Sequence, residues 1–389
     1  MSDPLSESGF DLQQIDRLLT TTRAVRKRLD FERDVSDELL FECIDLAEQA
    51  PTGGNDASRR WIVIRDQSLK NRLGELYAEV GELFINARGR LEGSGHPKEN
   101  VVTSSAYLVE NFSKAPALVM CAIWGVHDNS GRPGLFDSAI PSAWSFNLAL
   151  RSRGLGTAYA TMLNNKPDEV AELLGIPHGV TTLVCFPVAY TLGNEFSPAV
   201  RRPASDITYF DQWGFTRAEP SADGSARIKD GPGVVVEIDT EARPRAVWEV
   251  ISDINMPAQF SNEFVGADWL TDGPIGVGSV FKGRNAIPEV RNWETDCIVT
   301  EWLERQVFEW RITDPAKPGA IWRFEIAEQG AGSRLRFSMT IGKENNGTAP
   351  RALQDPSLEN EVLFERRLIH KENMQRVVEG VRDLVDGPA

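Results

Sequence analysis

The residues best suited to chemistry in this chain are a tight set of cations, Arg23, Arg26, Lys27 and Arg28, in the run TTRAVRKR from Thr21 to Arg28. Guanidinium groups match phosphate oxygens in paired geometry, and the Thr21 and Thr22 hydroxyls can add donors. On a chain of formal net charge −15, such a spot suits one phosphate group. Its other reading is a solvated basic face. The spacing predicts these cations within one or two helical turns, directly after a short amphipathic helix carrying Leu12, Ile15, Leu18 and Leu19. A second stretch, Ala50-Pro51-Thr52-Gly53-Gly54-Asn55, is a turn. It is set between a helix over Ser36–Gln49, with an apolar stripe of Leu39, Leu40, Cys43, Ile44 and Ala47, and a strand over Trp61–Ile64.

These two stretches together resemble the N-terminus of the FMN-dependent nitroreductase family, which has R-R-S-x-R for the flavin phosphate and A-P-S-x-x-N-x-Q-P-W along the flavin ring. The resemblance implies that Arg23 and Arg26 meet the phosphate, with Thr22 and Ala24 beside them at positions where arginine and serine are usual. It places Pro51, Thr52, Gly53 and Asn55 along the ring, in a turn that serves the flavin of a neighbouring subunit, which implies a homodimer. Ala57-Ser58-Arg59 stands where Q-P-W is usual.

Composition sets the outer bounds. At 389 residues the chain suggests two domains or three, and 41% hydrophobic with 25% charged residues is the composition of a soluble globular protein. No apolar run approaches the roughly 20 residues that cross a bilayer, and MSDPLSESGFD lacks the pattern of an export signal, so a cytoplasmic location is expected. The acidic balance argues against a nucleic-acid partner. Cys43, Cys121, Cys185 and Cys297 form no C-x-x-C and read as buried core; His96, His127, His178 and His370 show no ligand spacing, so no metal site is expected.

Further along, a long helix is predicted over Leu69–Arg90, then a polar loop over Glu92–Asn100 in which His96 is a surface residue. Pro116–Trp124 reads as a strand buried on both faces, followed by turns over His127–Gly134 and a buried helix over Pro141–Arg153. Gly154-Leu155-Gly156-Thr157 is either a plain helix-to-strand turn or, as the family's G-L-G-T implies, backbone lying beside the flavin near its reactive nitrogen, with Leu155, Gly156 and Thr157 as contacts. A short helix closes at Gly175, and Leu183–Tyr190 is a further buried strand. Ser197–Pro203 brings a late arginine, Arg201 or alternatively Arg202, where the family completes its phosphate site.

Gly214–Gly233 has the composition of a linker, giving a first domain over 10–214, a linker over 215–232 and a second domain over 233–387. The second half reads as strand, helix, successive antiparallel strands and a long helix over Glu361–Val385. That order, with VWEVISDINMPAQF and GVGSVFKGRN, resembles the START-like superfamily of polyketide cyclases and lipid carriers, whose curved sheet grips a helix around an apolar cavity. Trp248, Trp269, Trp293, Trp302, Trp310 and Trp322, six of the ten tryptophans, fall here as core or cavity lining. Asp253, Glu289, Arg291 and His370 read as surface groups, so this half is expected to bind rather than catalyse.

The expected fold is therefore α+β: a nitroreductase-like domain with a central mixed sheet flanked by helices, then a START-like domain. The expected activity moves hydride from NADH or NADPH through FMN to a nitroaromatic, quinone or activated alkene. The chemistry would be flavin-centred, with no catalytic side chain assigned. The rivals are a dehydrogenase, dehalogenase or flavin-cleaving enzyme of the same fold, and a carrier with a degenerate flavin half.

Overall fold

The computed structural model describes residues 9–125, 138–210, 213–216, 219–343 and 349–387; the expected turns over His127–Gly134 lie outside them. The chain divides into two compact units at Val200/Arg201.

In the first unit, α1 (Leu12–Thr21) is capped by the Asp11 carboxylate and α2 (Asp37–Ala47) by the Ser36 hydroxyl, each accepting the backbone N–H three residues on. Short β1 (Leu29–Asp30) lies between these helices. The chain continues through β2 (Arg59–Ile64), α3 (Gln67–Leu91), α4 (Glu99–Asn111), β3 (Ala117–Trp124), α5 (Ile140–Ser152), β4 (Leu155–Gly156), α6 (Pro167–Leu174) and β5 (Val180–Thr191). The sheet runs β1-β5-β3-β2, with β4 also on β5. Every residue of β3 except Trp124 is buried, as its unbroken apolar run predicts.

Each described pairing of this sheet is antiparallel, not mixed as expected. The reason lies in the connection between β2 and β3. It carries two packed helices, α3 and α4, so the chain returns to the end from which it left and the next strand runs back. Helix α4 occupies part of the expected loop, and glycines bring it close to α3. A Cβ on Gly81 would sit 2.4 Å from a Val109 methyl, and one on Gly74 3.0 Å from the Ser113 Cβ.

The second unit contains α7 (Ala204–Ile207), β6 (Gly233–Thr240), α8 (Pro244–Ile251), β7 (Phe264–Trp269), β8 (Val280–Ile287), β9 (Arg291–Leu303), β10 (Val307–Asp314), β11 (Lys317–Gln329), β12 (Gly332–Ile341), α9 (Ala349–Gln354) and α10 (Glu359–Asp386). Its antiparallel sheet has the order β6-β12-β11-β10-β9-β8-β7. Side chains alternate, with Phe308 and Trp310, Trp322 and Phe324, and Phe337 and Met339 in the core shared with α10. Where Gly380 of α10 meets the Phe260 ring, an added Cβ would stand 2.4 Å from it.

The described part of the expected linker packs as part of this unit. Ala226 N–H donates to Asn360 Oδ1 (2.9 Å), Ile228 N–H donates to Glu359 Oε1 (2.7 Å), and the Asn360 amide donates to Ser221 and Ala222 carbonyls. A polar segment holds its place because side chains from the start of α10 satisfy its backbone.

Candidate functional site

The cationic run is not helical. Helix α1 ends at Thr21, Thr22 takes extended backbone, and residues 22–25 continue without regular structure into a turn. Thr21 and Thr22 hydroxyls, expected as phosphate donors, instead donate to the carbonyls of Arg17 (2.5 Å) and Leu18 (2.6 Å). A threonine hydroxyl at the end of a helix bonds back to the carbonyl four residues earlier, and Leu18 here accepts the Thr22 N–H as well, at 3.1 Å.

What fixes the run is Val25. Its N–H donates to the Thr157 carbonyl at 2.8 Å, and its side chain is buried against Gly156, where an added Cβ would lie 3.1 Å from Val25 and 2.6 Å from a Thr191 methyl. The structure thus joins Thr22–Arg26 to Leu155–Thr157. Leu155 and Thr157 are wholly buried, so both stand behind this segment with no exposed surface.

Arg23 and Ala24 are exposed, and Arg23 Nη1 donates to the Ser197 carbonyl at 2.9 Å. Arg26 is half-buried, reaching Ser104 Oγ at 3.4 Å, and burial pulls its pKa down, opposed by nearby Tyr77. Arg28 turns away, donating to the carbonyls of Leu192 (2.9 Å) and Glu195 (2.7 Å) with its guanidinium 4.2 Å from the Phe196 ring centre. Of the three arginines of the run, Arg23 is thus exposed, Arg26 half-buried and Arg28 engaged by two carbonyls. Arg201 is an exposed residue at the start of the second unit. Arg202, the alternative, is engaged there by Ser225 (3.0 Å) and by an ion pair with Asp230 (2.7 Å).

The Pro51–Asn55 turn is held by a different set. Gly54 and Asn55 both have positive φ (64° and 56°), a conformation open to Gly and tolerated by Asn. Gly53 N–H donates to Ser138 Oγ at 2.9 Å. Beneath the turn lies Arg59, whose side chain is only 4% exposed. It donates to the carbonyls of Glu48 (3.1 Å) and Ala50 (2.9 Å) and pairs with the Glu48 carboxylate (3.3 Å). Glu48 also accepts from Trp61 Nε1 (2.8 Å) and Ser142 Oγ (3.3 Å). The residue that departs from the family pattern is thus the cap of α2 and the anchor of the turn. Pro51, Gly53 and Asn55 are exposed and Thr52 half-buried.

The second unit contains a cavity of about 1020 Å³ between its sheet and α10. Its wall is aromatic: Trp310 and Trp322, directly paired across β10 and β11, lie parallel with centres 6.3 Å apart, near Phe281, Phe308 and Phe337. Arg366 and Glu263 face each other as a two-bond ion pair, one bond at 2.7 Å. His370, expected on the surface, is 9% exposed and lines the cavity with its ring edge-on to Trp322 at 5.2 Å. Burial, and then Arg366, holds its pKa well below the usual imidazole value. Cys297, also lining the cavity, has its pKa pushed up to about 12 by burial.

Among the described residues, no three His, Cys, Asp or Glu side chains gather as metal ligands, and no helix is long and apolar enough to cross a membrane.

Residues 19–190 match the profile of the nitroreductase family, and residues 232–362 that of polyketide cyclase/dehydrase and lipid transport proteins. Over 208 residues the chain is 26% identical to iodotyrosine deiodinase 1 of Mus musculus, spanning 52% of this chain and 71% of that one. The iodotyrosine deiodinase of Thermotoga neapolitana is 26% identical over 175 residues, 44% of this chain and 86% of that one. Among solved structures, the FMN-dependent nitroreductase NfnB from Mycobacterium smegmatis, in complex with NADPH, aligns with a TM-score of 0.40 and 19% identity, covering 52% of this chain and 100% of its own. A Polyketide_cyc-like protein from Corynebacterium glutamicum aligns with a TM-score of 0.31 and 24% identity, covering 39% and 90%. The chain therefore carries a nitroreductase-family domain over 19–190, followed by a domain of the polyketide cyclase/dehydrase and lipid transport family over 232–362.

Proposed function

We propose that the first unit is an FMN-dependent oxidoreductase that passes hydride from NADH or NADPH to an organic acceptor, a nitroaromatic, quinone or activated alkene, and that the second binds a bulky apolar ligand. The observation that carries the first part is the Val25–Thr157 hydrogen bond. It brings the arginine segment and the Gly154–Thr157 turn, distant in sequence, into one assembly within a nitroreductase-family domain.

In this reading Arg23 and Arg26 hold the phosphate, and Pro51–Asn55 lies along the ring. Bound flavin supplies the hydride chemistry. The protein's part is electrostatic and geometric: the arginines offset the phosphate charge, Gly156 lets Val25 pack closely, and Arg59 keeps the ring-facing turn in place. Phe41 of α2 and Ile140 and Trp144 of α5 are exposed at 62%, 48% and 41%, which favours a second copy as cover for that face in a homodimer.

Reductive dehalogenation is the second reading, favoured by the match to two iodotyrosine deiodinases. One experiment separates them. The FMN-loaded protein is reduced anaerobically with NADH or NADPH, and reoxidation is followed after adding a nitroaromatic, a quinone or 3-iodotyrosine. Bleaching by a nicotinamide and fast reoxidation by nitroaromatic or quinone supports the first reading. Reoxidation by iodotyrosine alone, with iodide release, replaces it with the second.

A further inference from the structure

The second-unit cavity has three features that narrow its ligand. Its wall is aromatic, with Trp310 and Trp322 in parallel planes and Phe308 and Phe337 tilted against them by 43° and 36°. Such a set of ring faces and edges favours an aromatic guest through offset and edge contacts. Of the three arginines at the cavity, Arg366 is paired with Glu263 and Arg351 with Glu365 at 2.8 Å, while Arg291 is exposed against the Trp293 ring; the least exposed of them is thus already matched, which disfavours a charged guest beside it.

The third feature is His370. Among the described residues its ring makes an aromatic contact with Trp322 but no hydrogen bond. A neutral imidazole carries one N–H donor and one acceptor nitrogen, and at this cavity wall neither meets a protein partner among the described residues, which leaves both for a guest.

We propose that His370 is the polar anchor of this cavity and that its ligand is an uncharged, planar aromatic molecule bearing an oxygen substituent. A phenolic hydroxyl donates to the acceptor nitrogen of His370, and a quinone-type carbonyl accepts from its N–H. The remainder of the ligand lies against the Trp310–Trp322 wall. His370 acts as a specificity-determining residue: it selects an oxygenated ring over the hydrocarbon of the same shape. This rests on the reading of the second unit as a ligand binder.

The test uses the full chain saturated with FMN and two probes of the same size, 2-naphthol and 2-methylnaphthalene, with binding measured by equilibrium dialysis. The expected preference for naphthol is about tenfold, the value of one net hydrogen bond in an apolar site. His370→Phe should abolish that preference while leaving methylnaphthalene binding within about twofold, and His370→Gln should keep most of it. If His370→Phe fails to fold, His370→Met removes the same donor and acceptor with a flexible side chain. A preference that survives the Phe or Met change overturns the role of His370 while leaving the cavity a binding site. Failure of the wild-type chain to bind either probe overturns both the anchor and the ligand-binding reading.

Discussion

Replacing Arg59 by alanine removes a side chain that bonds both to the end of α2, at Glu48, and to the first residue of the Ala50–Asn55 turn. The guanidinium makes two hydrogen bonds to carbonyls, 3.1 and 2.9 Å, and a 3.3 Å ion pair with Glu48. Charge-assisted hydrogen bonds contribute about 1.5–3 kcal/mol each, and breaking a buried pair costs about 3–5 kcal/mol. Glu48 is 38% exposed, so water recovers part of its loss and the ion pair adds little beyond the two carbonyls. The first unit should therefore lose about 3–4 kcal/mol, which lowers its midpoint by roughly 10 °C at about 2–4 °C per kcal/mol for a domain of this size. Scanning calorimetry of the full chain reads this, with the second unit's transition as an internal reference. Arg59→Lys should fall between, because both carbonyls accept from one guanidinium nitrogen, Nη2, and the shorter lysine places its ammonium short of that point and loses the Nε contact with Glu48. A midpoint within about 2 °C of wild type in Arg59→Ala would refute the anchoring role.

Gly156→Ala should destabilise the first unit by about 1–3 kcal/mol through overpacking, since the new Cβ falls 2.6 Å from the Thr191 methyl. Thr191→Ser in the same chain should recover much of that loss in denaturant unfolding. His370 has a folded pKa well below the usual 6.5, so below that pH the unfolded chain takes up a proton that the folded one does not. Stability of the second unit should fall as pH drops from 6.5 toward the folded value, by up to about 1.4 kcal/mol per unit, and His370→Gln should flatten that slope. Burial raises the thiol pKa of Cys43 to about 11 and those of Cys121 and Cys185 to about 12, so native protein at pH 8 should react slowly with a thiol reagent and unfolded protein rapidly.

Elements with strong periodicity or unbroken apolar runs were legible in the sequence. Strand β3 and helix α3 lie within a few residues of their expected ranges, and the expected run of successive antiparallel strands is β7 to β12. Helix α4 was not, because its buried face is built from Val102, Thr103, Ser105 and Ala106 as well as Leu108 and Val109. Small and polar residues suit close packing on α3 but write no apolar stripe. The cationic run looked helical by continuity with α1, yet its Val25 N–H bonds to Thr157 instead of continuing the helix, and that partner lies far along the chain. Arg59 read as a departure from a pattern; its meaning depends on carbonyls at the end of α2, which composition does not reveal. His370 was indistinguishable from a surface histidine until the sheet curved around α10.

The central claim is that Arg23 and Arg26 hold the phosphate of a flavin, and the comparison of FMN with riboflavin, which lacks that phosphate, tests it most directly. The affinities of flavin-free protein for both are measured by fluorescence quenching, in wild type and in Arg23→Ala/Arg26→Ala. Two charge-assisted contacts predict that wild type prefers FMN by about a hundredfold and that the double variant loses most of this preference while still binding riboflavin as before. Equal affinity of the wild-type chain for FMN and riboflavin would contradict the account.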